Sequence, residues 1–421
     1  MDARAVEELS PEERRAVFQR DAGVGAAADT ARDIIEQVRE EGDAALRRLA
    51  SEFDDVAVGS IDVTDEAARA AEGLDEELLA AIEDAADNVR AFHEAQLPTD
   101  WRREFEGREL GRRFRPIERA GVYVPGGSAA YPSSAIMGVV PAVVAGVEHV
   151  AVATPPKPAP ATLAAAHVAG ADTVYQVGGA QAVAALAYGT ETVNAVQKIV
   201  GPGNRFVAAA KAAVRGDVAI DFVAGPSELL VVADGSADPD LVAADMLAQA
   251  EHDTDAAVAC VTDDEDVAEA VAAACEAGAG EREREDTIRG ALAGEGSGVF
   301  LARSAPEMVL FAEEYAAEHL SILAADDEAL LERITNAGSV FLGPYTPVAG
   351  GDYATGTNHV LPTGGAARTE GGLSVDTFLR STTVQRLDRS ALAELRETVT
   401  RLADSEGLEA HAASVEARFE D

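Results

Sequence analysis

Four of the seven histidines lie in polar stretches beside carboxylates or amides, where they could bind a metal or transfer a proton. The groupings are Gln249 with His252, Glu318 with His319, Asp352 with His359, and Glu406 with His411. Positions three apart share one face of a helix, so Gln249 and His252 can converge on one point, with Asp352 joining from a loop. A divalent metal is therefore a candidate, although glutamine is an uncommon zinc ligand and spacing alone would not select it.

Glu318 and His319 are adjacent, which leaves two interpretations open. Within a strand their side chains would point to opposite faces, but at the end of a strand both could reach a cleft and act as acid and base. An ordinary dipeptide on the surface is the alternative.

The remaining histidines and the two cysteines indicate structural roles. His93 lies in a charged helical stretch, and His149 and His167 lie in apolar or alanine-rich stretches. Cys260 and Cys275 lie in apolar runs, so we expect buried thiols and neither a disulfide framework nor a cysteine-based zinc site.

Residues 201–205 (GPGNR) follow an apolar run and open a helix. Backbone N–H groups at such a place can face an anion, for instance a cofactor phosphate. We expect Lys198, Arg205 and Lys211 to soften the negative field there. An ordinary Gly-Pro turn is the alternative. The stretch is not the G-x-G-x-x-G fingerprint, so spacing does not identify NAD.

The elements around these residues follow a regular order. Apolar residues at helical spacing mark residues 30–51, 75–95, 390–403 and 407–419. From residue 147, and again after residue 229, short β-rich runs alternate with alanine-rich helical stretches, which indicates two α/β units with mainly parallel sheets. Residues 343–383, rich in Gly, Thr and Pro, are typical of a segment that lines a site.

Composition excludes several classes of function. Lys plus Arg total 34 and Asp plus Glu 75, a net charge of −41 that repels phosphate backbones and anionic membranes. We expect no nucleic-acid partner and, since neither a secretory signal nor a long apolar run is present, a soluble cytoplasmic protein of two or more domains. We interpret the acidic surface as suited to concentrated salt, which screens repulsion between like charges.

Long stretches of the chain match one known family in the expected order. They are VYVPGGSAAYPSSAIM (122–137), VGGAQAVAALAYGT (177–190), KIVGPGNRFVAAAK (198–211), IDFVAGPSELLVVAD (220–234), QAEHD (249–253), EHL (318–320), AGSVFLGPYTPVAGGDYATGTNHVLPT (337–363), GLSVDTFLRSTTVQ (372–385) and EGLEAHAASVEAR (406–418). In these stretches the chain resembles histidinol dehydrogenases, and only the first hundred residues match weakly.

The resemblance implies an α/β fold with two incomplete Rossmann-like units, parallel sheets and small helical N- and C-terminal dimerisation segments. The implied segments are 1–22, an N-terminal helical segment; 23–122 with 232–370, a first Rossmann-like domain with most metal and acid–base residues; 123–231, a second that contacts NAD; and 371–421, a C-terminal dimerisation segment. The assembly implied is a homodimer with sites shared between subunits.

The resemblance also implies the reaction and its residues: zinc-dependent oxidation of L-histidinol through L-histidinal to L-histidine with two NAD, in histidine biosynthesis. By this resemblance one zinc ion per subunit is bound by Gln249, His252, Asp352 and His411, the last from the partner subunit. Glu318 and His319 form the acid–base pair. The ligands and this pair also contact substrate, as do Ser227, His359 and Glu406, whereas Tyr123, Gln181 and Asn204 contact NAD.

Three other functions stay open at this point. A zinc-dependent hydrolase could use the same side chains to activate water. A binding protein with two α/β lobes and no catalysis is a different class, although crowded acid–base residues argue against it. A family member that acts on another amino alcohol is the third.

Overall fold

A computed structural model of the 421-residue chain describes residues 3–20, 23–126 and 130–420. By their contacts the residues form a first unit, Met1–Gln96 with Glu118–Phe378, and a second unit, Leu97–Ile117 with Leu379–Asp421. Within the described ranges, every helix is too short or too polar to cross a bilayer.

The strands and helices are named in chain order. The strands are β1 Ala3–Ala5, β2 Trp101–Phe105, β3 Arg108–Pro116, β4 Arg119–Tyr123, β5 His149–Thr154, β6 Thr173–Gln176, β7 Lys198–Val200, β8 Ala219–Ile220, β9 Glu228–Ala233, β10 Ala257–Thr262, β11 Gly298–Leu301, β12 His319–Leu323, β13 Ser339–Leu342 and β14 Leu379–Leu387. The helices are α1 Pro11–Phe18, α2 Val24–Glu41, α3 Asp43–Phe53, α4 Thr64–Gly73, α5 Glu76–Glu94, α6 Pro132–Ala145, α7 Pro160–Ala169, α8 Gly179–Tyr188, α9 Arg205–Val214, α10 Pro239–Ala250, α11 Glu265–Ala279, α12 Glu285–Leu292, α13 Ala305–Tyr315, α14 Asp327–Leu331, α15 Val348–Tyr353, α16 Arg389–Ser405 and α17 Glu409–Glu416.

The first unit contains two parallel sheets. One has the strand order β6-β5-β4-β7-β8 and the other the order β1-β11-β10-β9-β12-β13. Their central strands are continuous apolar runs, such as β10, in which all six residues are buried, because helices cover both faces of such sheets. The predicted α/β class with two parallel-sheet units is confirmed.

In each sheet the order in which strands are added reverses beside one strand, β4 in the five-stranded sheet and β9 in the six-stranded sheet. From β4 the chain adds β5 and β6 on one side and then returns to the other side for β7 and β8. From β9 it adds β10 and β11 and then returns for β12 and β13. In open α/β sheets, crevices for ligands form outside the carboxyl ends of the strands at such reversals, which in the five-stranded sheet are the ends of β4 and β7.

Most predicted helices are present, with one interruption. α5 begins after Asp75, whose carboxylate accepts hydrogen bonds from the N–H groups of Glu77 and Leu78. The stretch predicted as one helix over 30–51 is two helices, α2 and α3, separated by Gly42 at φ +56°. A side chain on Gly42 would also meet the Glu191 carboxylate at 2.3 Å, so the break requires glycine.

The two ends of the chain differ from a purely helical interpretation. β1 near the start pairs with β11 in the six-stranded sheet. In the second unit, β14 pairs with β3 and β3 with β2 in an antiparallel sheet, followed by the predicted helices α16 and α17. α2 and α3 share an apolar core with the five-stranded sheet. The residue limits of the four segments, and the dimerisation role of the ends, stay predictions.

Several structural roles predicted for single residues are confirmed. Cys260 and Cys275 are both buried free thiols. His93 is fully buried, and its Nδ1 lies 2.7 Å from the carbonyl oxygen of Val89.

Candidate active site

The amino end of β12 brings Glu318 and His319 together. Glu318 directly precedes the strand and His319 is its first residue. Both are buried, and His319 Nδ1 lies 3.5 Å from Glu318 Oε2. At this strand end the two side chains meet instead of pointing apart, and the interpretation as a surface dipeptide is wrong.

The main chain of Glu228, at the amino end of the neighbouring strand β9, contacts both side chains. Its N–H donates to Glu318 Oε2 at 2.8 Å, and its carbonyl oxygen lies 3.0 Å from His319 Nδ1. Because a carbonyl oxygen only accepts hydrogen bonds, His319 must carry a hydrogen on Nδ1. The other ring nitrogen, Nε2, lies 3.3 Å from Asp352 Oδ1.

Burial and charge shift the pKa values of this buried group in different directions. Burial raises the pKa of Glu318. It would lower the pKa of His319, but attraction to Glu318 and Asp352 outweighs burial and raises that pKa well above its ordinary value. Burial would raise the pKa of Asp352, but its hydrogen bond and attraction to His319 lower it. An imidazole between two carboxylates can exchange a proton with either of them.

The predicted metal ligands of the first unit come from two packed helices. α10 carries Gln249 in its last turn and packs against α15, which carries Asp352. The helix ends at Ala250, so His252 lies just beyond it, in a turn closed by its N–H to the carbonyl oxygen of Gln249. His252 is exposed and interacts electrostatically with Asp352 and His319.

Two observations test whether these residues fit a metal. Within the described ranges, no three His, Cys, Asp or Glu side chains are arranged to hold an ion. Gln249, a ligand of another type, is 2% exposed, and its Nε2 atom has no hydrogen-bond partner. Rotating this amide by 180° would direct its oxygen to the same place. One amide, one imidazole and one carboxylate fit a zinc site that needs one more ligand.

The predicted substrate contacts fall in different places. His359 Nδ1 lies 2.9 Å from the carbonyl oxygen of Asp352, and its Nε2 lies 3.3 Å from Ser134 Oγ on α6. Ser227 directly precedes Glu228 and is half-buried. Glu406 and His411 belong to the second unit, after α16 and within α17, and both are exposed. Their contribution to the site stays a prediction.

The three predicted NAD contacts follow strands of the five-stranded sheet. Tyr123 ends β4, Gln181 lies in the first turn of α8 after β6, and Asn204 is the N-cap of α9 after β7. The Tyr123 hydroxyl accepts a hydrogen bond from the N–H of Gly179 at 3.1 Å, and burial raises its pKa to about 12. All three positions therefore lie at or after carboxyl ends of strands, on the side of this sheet where a ligand is expected.

Gly201 brings the loop after β7 against Tyr123. Its φ is +108°, and an added Cβ would lie 2.2 Å from the carbonyl oxygen of Tyr123. The Gly201 N–H donates to Asp221 Oδ2 at 2.8 Å, and its carbonyl oxygen accepts from Lys211 Nζ at 2.9 Å. Lys211 and Asp221 also form an ion pair with each other, both side chains 2% exposed. The expectation that Lys211 softens the field for a phosphate is wrong, because its charge is neutralised by Asp221.

Sequence reasoning overlooked Glu228, although one signal was present. Glu228 is a carboxylate at the start of the apolar run ELLVVA, in which every residue is buried. A charged residue in such a place requires a partner.

Comparison with known proteins identifies the family of the chain. The sequence profile of a family described as "Histidinol dehydrogenase" matches residues 19–419. The chain is 70% identical to histidinol dehydrogenase of Haloarcula marismortui over 100% of both chains, and 46% identical to that of Methanosarcina barkeri over 98% of this chain and 96% of the other. A crystal structure of histidinol dehydrogenase from Elizabethkingia anophelis superposes with a TM-score of 0.91 at 36% identity, covering 98% of this chain and 96% of that one. The chain therefore belongs to the histidinol dehydrogenase family.

Proposed function

We propose that the protein is a cytoplasmic enzyme that oxidises L-histidinol through L-histidinal to L-histidine with two NAD, in histidine biosynthesis. One observation carries the mechanism: His319 is buried between Glu318 and Asp352, with its Nδ1 hydrogen directed to Glu228 O. Membership of the family and full-length similarity to its members support the substrate.

Gln249, His252 and Asp352 would hold one zinc ion per subunit, with His411 of the partner subunit as the fourth ligand. When bound, zinc would hold the imidazole and amino nitrogens of histidinol, and NAD at Tyr123, Gln181 and Asn204 would accept hydride. Ser227, His359 and Glu406 would complete the contacts to substrate.

His319 Nε2 would take the proton of the substrate hydroxyl. Its Nδ1–H stays bonded to Glu228 O, so Nε2 is the nitrogen left for proton transfer. Asp352 bound to a cation would attract the His319 proton less strongly, which favours the neutral base. Proton transfer by a positioned imidazole contributes about 10²- to 10⁴-fold to rate.

Glu318 would activate the water that attacks the aldehyde. Its pKa is raised by burial, as is common for carboxylates that move protons near neutral pH. The hydrated aldehyde would then transfer the remaining hydrogen of that carbon as hydride to the second NAD and release a proton, which gives the carboxyl group of histidine.

The second unit supports a homodimer. Its antiparallel sheet is largely exposed, including Trp101 and Phe105, and exposed apolar surface of this kind marks interaction sites. Residues 101–116 carry six arginines and only three glutamates, in a chain with a net charge of −41. Such a basic strip complements the acidic surface of a second copy.

The deciding experiment measures NADH formed per histidinol consumed by the purified protein in molar KCl. We expect two NADH per histidinol, loss of activity with a chelator and recovery with zinc. A single NADH would limit the enzyme to alcohol oxidation, and no NADH with zinc present would exclude the proposal. Hydrolysis without NAD would instead support a zinc hydrolase. A higher kcat/KM for another amino alcohol would reassign the substrate.

A further inference from the structure

A buried ion pair lies directly behind the acid–base pair. Arg20, two residues after α1, and Glu228 are 208 positions apart, yet Arg20 Nη2 lies 2.9 Å from Glu228 Oε2 and Nε lies 2.8 Å from Oε1. Their side chains are only 7% and 3% exposed. The Nη2 contact is a hydrogen bond, whereas Nε faces Oε1 at ion-pair distance without hydrogen-bond geometry. Because two nitrogens of one rigid guanidinium face the two carboxylate oxygens, the ion pair restricts the orientation of the carboxylate as well as its position.

Both partners are held from several sides. Arg20 donates to the carbonyl oxygens of Val17 at 3.1 Å and Tyr315 at 2.7 Å, and its guanidinium lies 3.8 Å from the centre of the Tyr315 ring. Glu228 Oε1 accepts the N–H of Gly364 at 2.7 Å. The end of α1, the end of α13 and the loop at Gly364 therefore meet at the first residue of β9.

This anchored residue is also the one whose main chain contacts Glu318 at 2.8 Å and His319 at 3.0 Å. A rotation of the main chain at Glu228 would move its N–H and its carbonyl oxygen together. Glu318 and His319 would then both lose their hydrogen-bond partner. The Arg20 charge interacts electrostatically with Glu318 as well. A buried ion pair adds little net stability compared with apolar packing, which favours a role in position.

We propose that Arg20 is a positioning residue: by fixing the Glu228 carboxylate it fixes the peptide that orients Glu318 and His319. Glu318 and His319 act as acid and base only if the protein oxidises histidinol. The catalytic part of this proposal therefore rests on the proposed function.

The kinetic test compares Arg20→Gln and Arg20→Lys with wild type, as full-length zinc-loaded proteins. We expect Arg20→Gln to lower kcat about 10²-fold, the effect of a displacement of about 1 Å, while KM for histidinol and NAD stays near wild type. Arg20→Lys should recover part of kcat, since it keeps the charge but loses the planar guanidinium that faces both carboxylate oxygens.

A second readout does not depend on activity. With ¹⁵N-labelled histidine, the Nδ1–H signal of His319 is identified by its loss in His319→Asn. We expect Arg20→Gln to broaden or remove this signal by exchange with water. The matched control is Arg14→Gln on α1, because Arg14 pairs with the half-exposed Glu314 and stacks on Phe18. This control should keep both signal and kcat.

The outcomes separate the two proposals. Suppose that Arg20→Gln loses the signal and that the wild-type protein forms no NADH from histidinol. The first result would support positioning, and the second would refute the proposed function. Unchanged kcat and signal in folded Arg20→Gln overturn positioning, even if the melting temperature falls. The double variant Arg20→Gln/Glu228→Gln removes both charges of the ion pair. It replaces Arg20→Gln in these measurements if the single variant does not fold. Recovery of kcat and signal in this double variant would also overturn the proposal, since an unpaired charge would then explain the loss.

Discussion

His319 is the residue on which the proposed proton transfer depends most directly. We expect His319→Asn to lower kcat by about 10² to 10⁴-fold, the usual range for a general acid or base. Asparagine can still donate to Glu228 O, so the fold and the zinc content should change little. Steady-state kinetics with metal analysis check this, and near-normal turnover would remove His319 from the mechanism.

Glu318 should act mainly in the second oxidation. Glu318→Gln keeps the size of the side chain and an oxygen that can accept the Glu228 N–H, but it cannot take a proton from water. We expect oxidation of added histidinal to fall more than oxidation of histidinol to histidinal. Single-turnover measurements on each substrate test the division, which equal losses on both would contradict.

Among the elements, the loop after β7 depends on the buried pair of Lys211 and Asp221. Lys211→Met removes the ion-pair partner of the buried Asp221 and the hydrogen bond to Gly201 O. We expect the free energy of unfolding to fall by about 3–5 kcal/mol and KM for NAD to rise. Denaturant unfolding and kinetics measure both effects.

Lys157→Met is the matched control, because Lys157 is exposed. Its effect on the free energy of unfolding should stay within about 0.5 kcal/mol. Equal effects of the two variants would show that the pair does not stabilise the loop.

The elements were predictable where the information was local. β10 is a continuous apolar run, and α9 begins directly after Asn204, as the sequence indicated. The pairing of β14 with β3 joins residues such as Leu379 and Pro116 that are far apart in the chain. The local spacing of apolar residues does not predict a pairing of this kind. The same is true of Arg20 with Glu228. Glu318 and His319 were identified by type, but their convergence depends on where β12 begins.

At the scale of the whole molecule, one prediction concerns the sharing of sites between subunits. His252→Ala and His411→Ala should each be inactive alone. If His411 acts across a dimer, each mixed dimer contains one intact site, so random exchange should restore about a quarter of the sites. Activity after mixing and confirmed subunit exchange measures this. Absence of recovery would place His252 and His411 of one chain in the same site.

The net charge of −41 determines how stability should depend on salt. Repulsion between like charges destabilises a compact chain, and at 1 M salt the Debye length is only about 3 Å, so screening should remove most of it. We therefore expect the melting temperature to rise from 0.1 M to 2 M KCl.

Two controls separate screening from general stabilisation by excluded solutes. Sucrose is excluded from protein surfaces but does not screen charge, so it should raise the melting temperature of any variant alike. Replacing the exposed Glu83, Asp84 and Asp87 of α5 by their amides should raise the melting temperature in dilute buffer and reduce the further rise with KCl. If KCl raised the melting temperature of this variant and of wild type by the same amount, screening of the repulsion between the carboxylates of α5 would not explain the effect of salt. If the melting temperature of wild type stays constant up to 2 M KCl, the interpretation of the acidic surface as suited to concentrated salt is wrong.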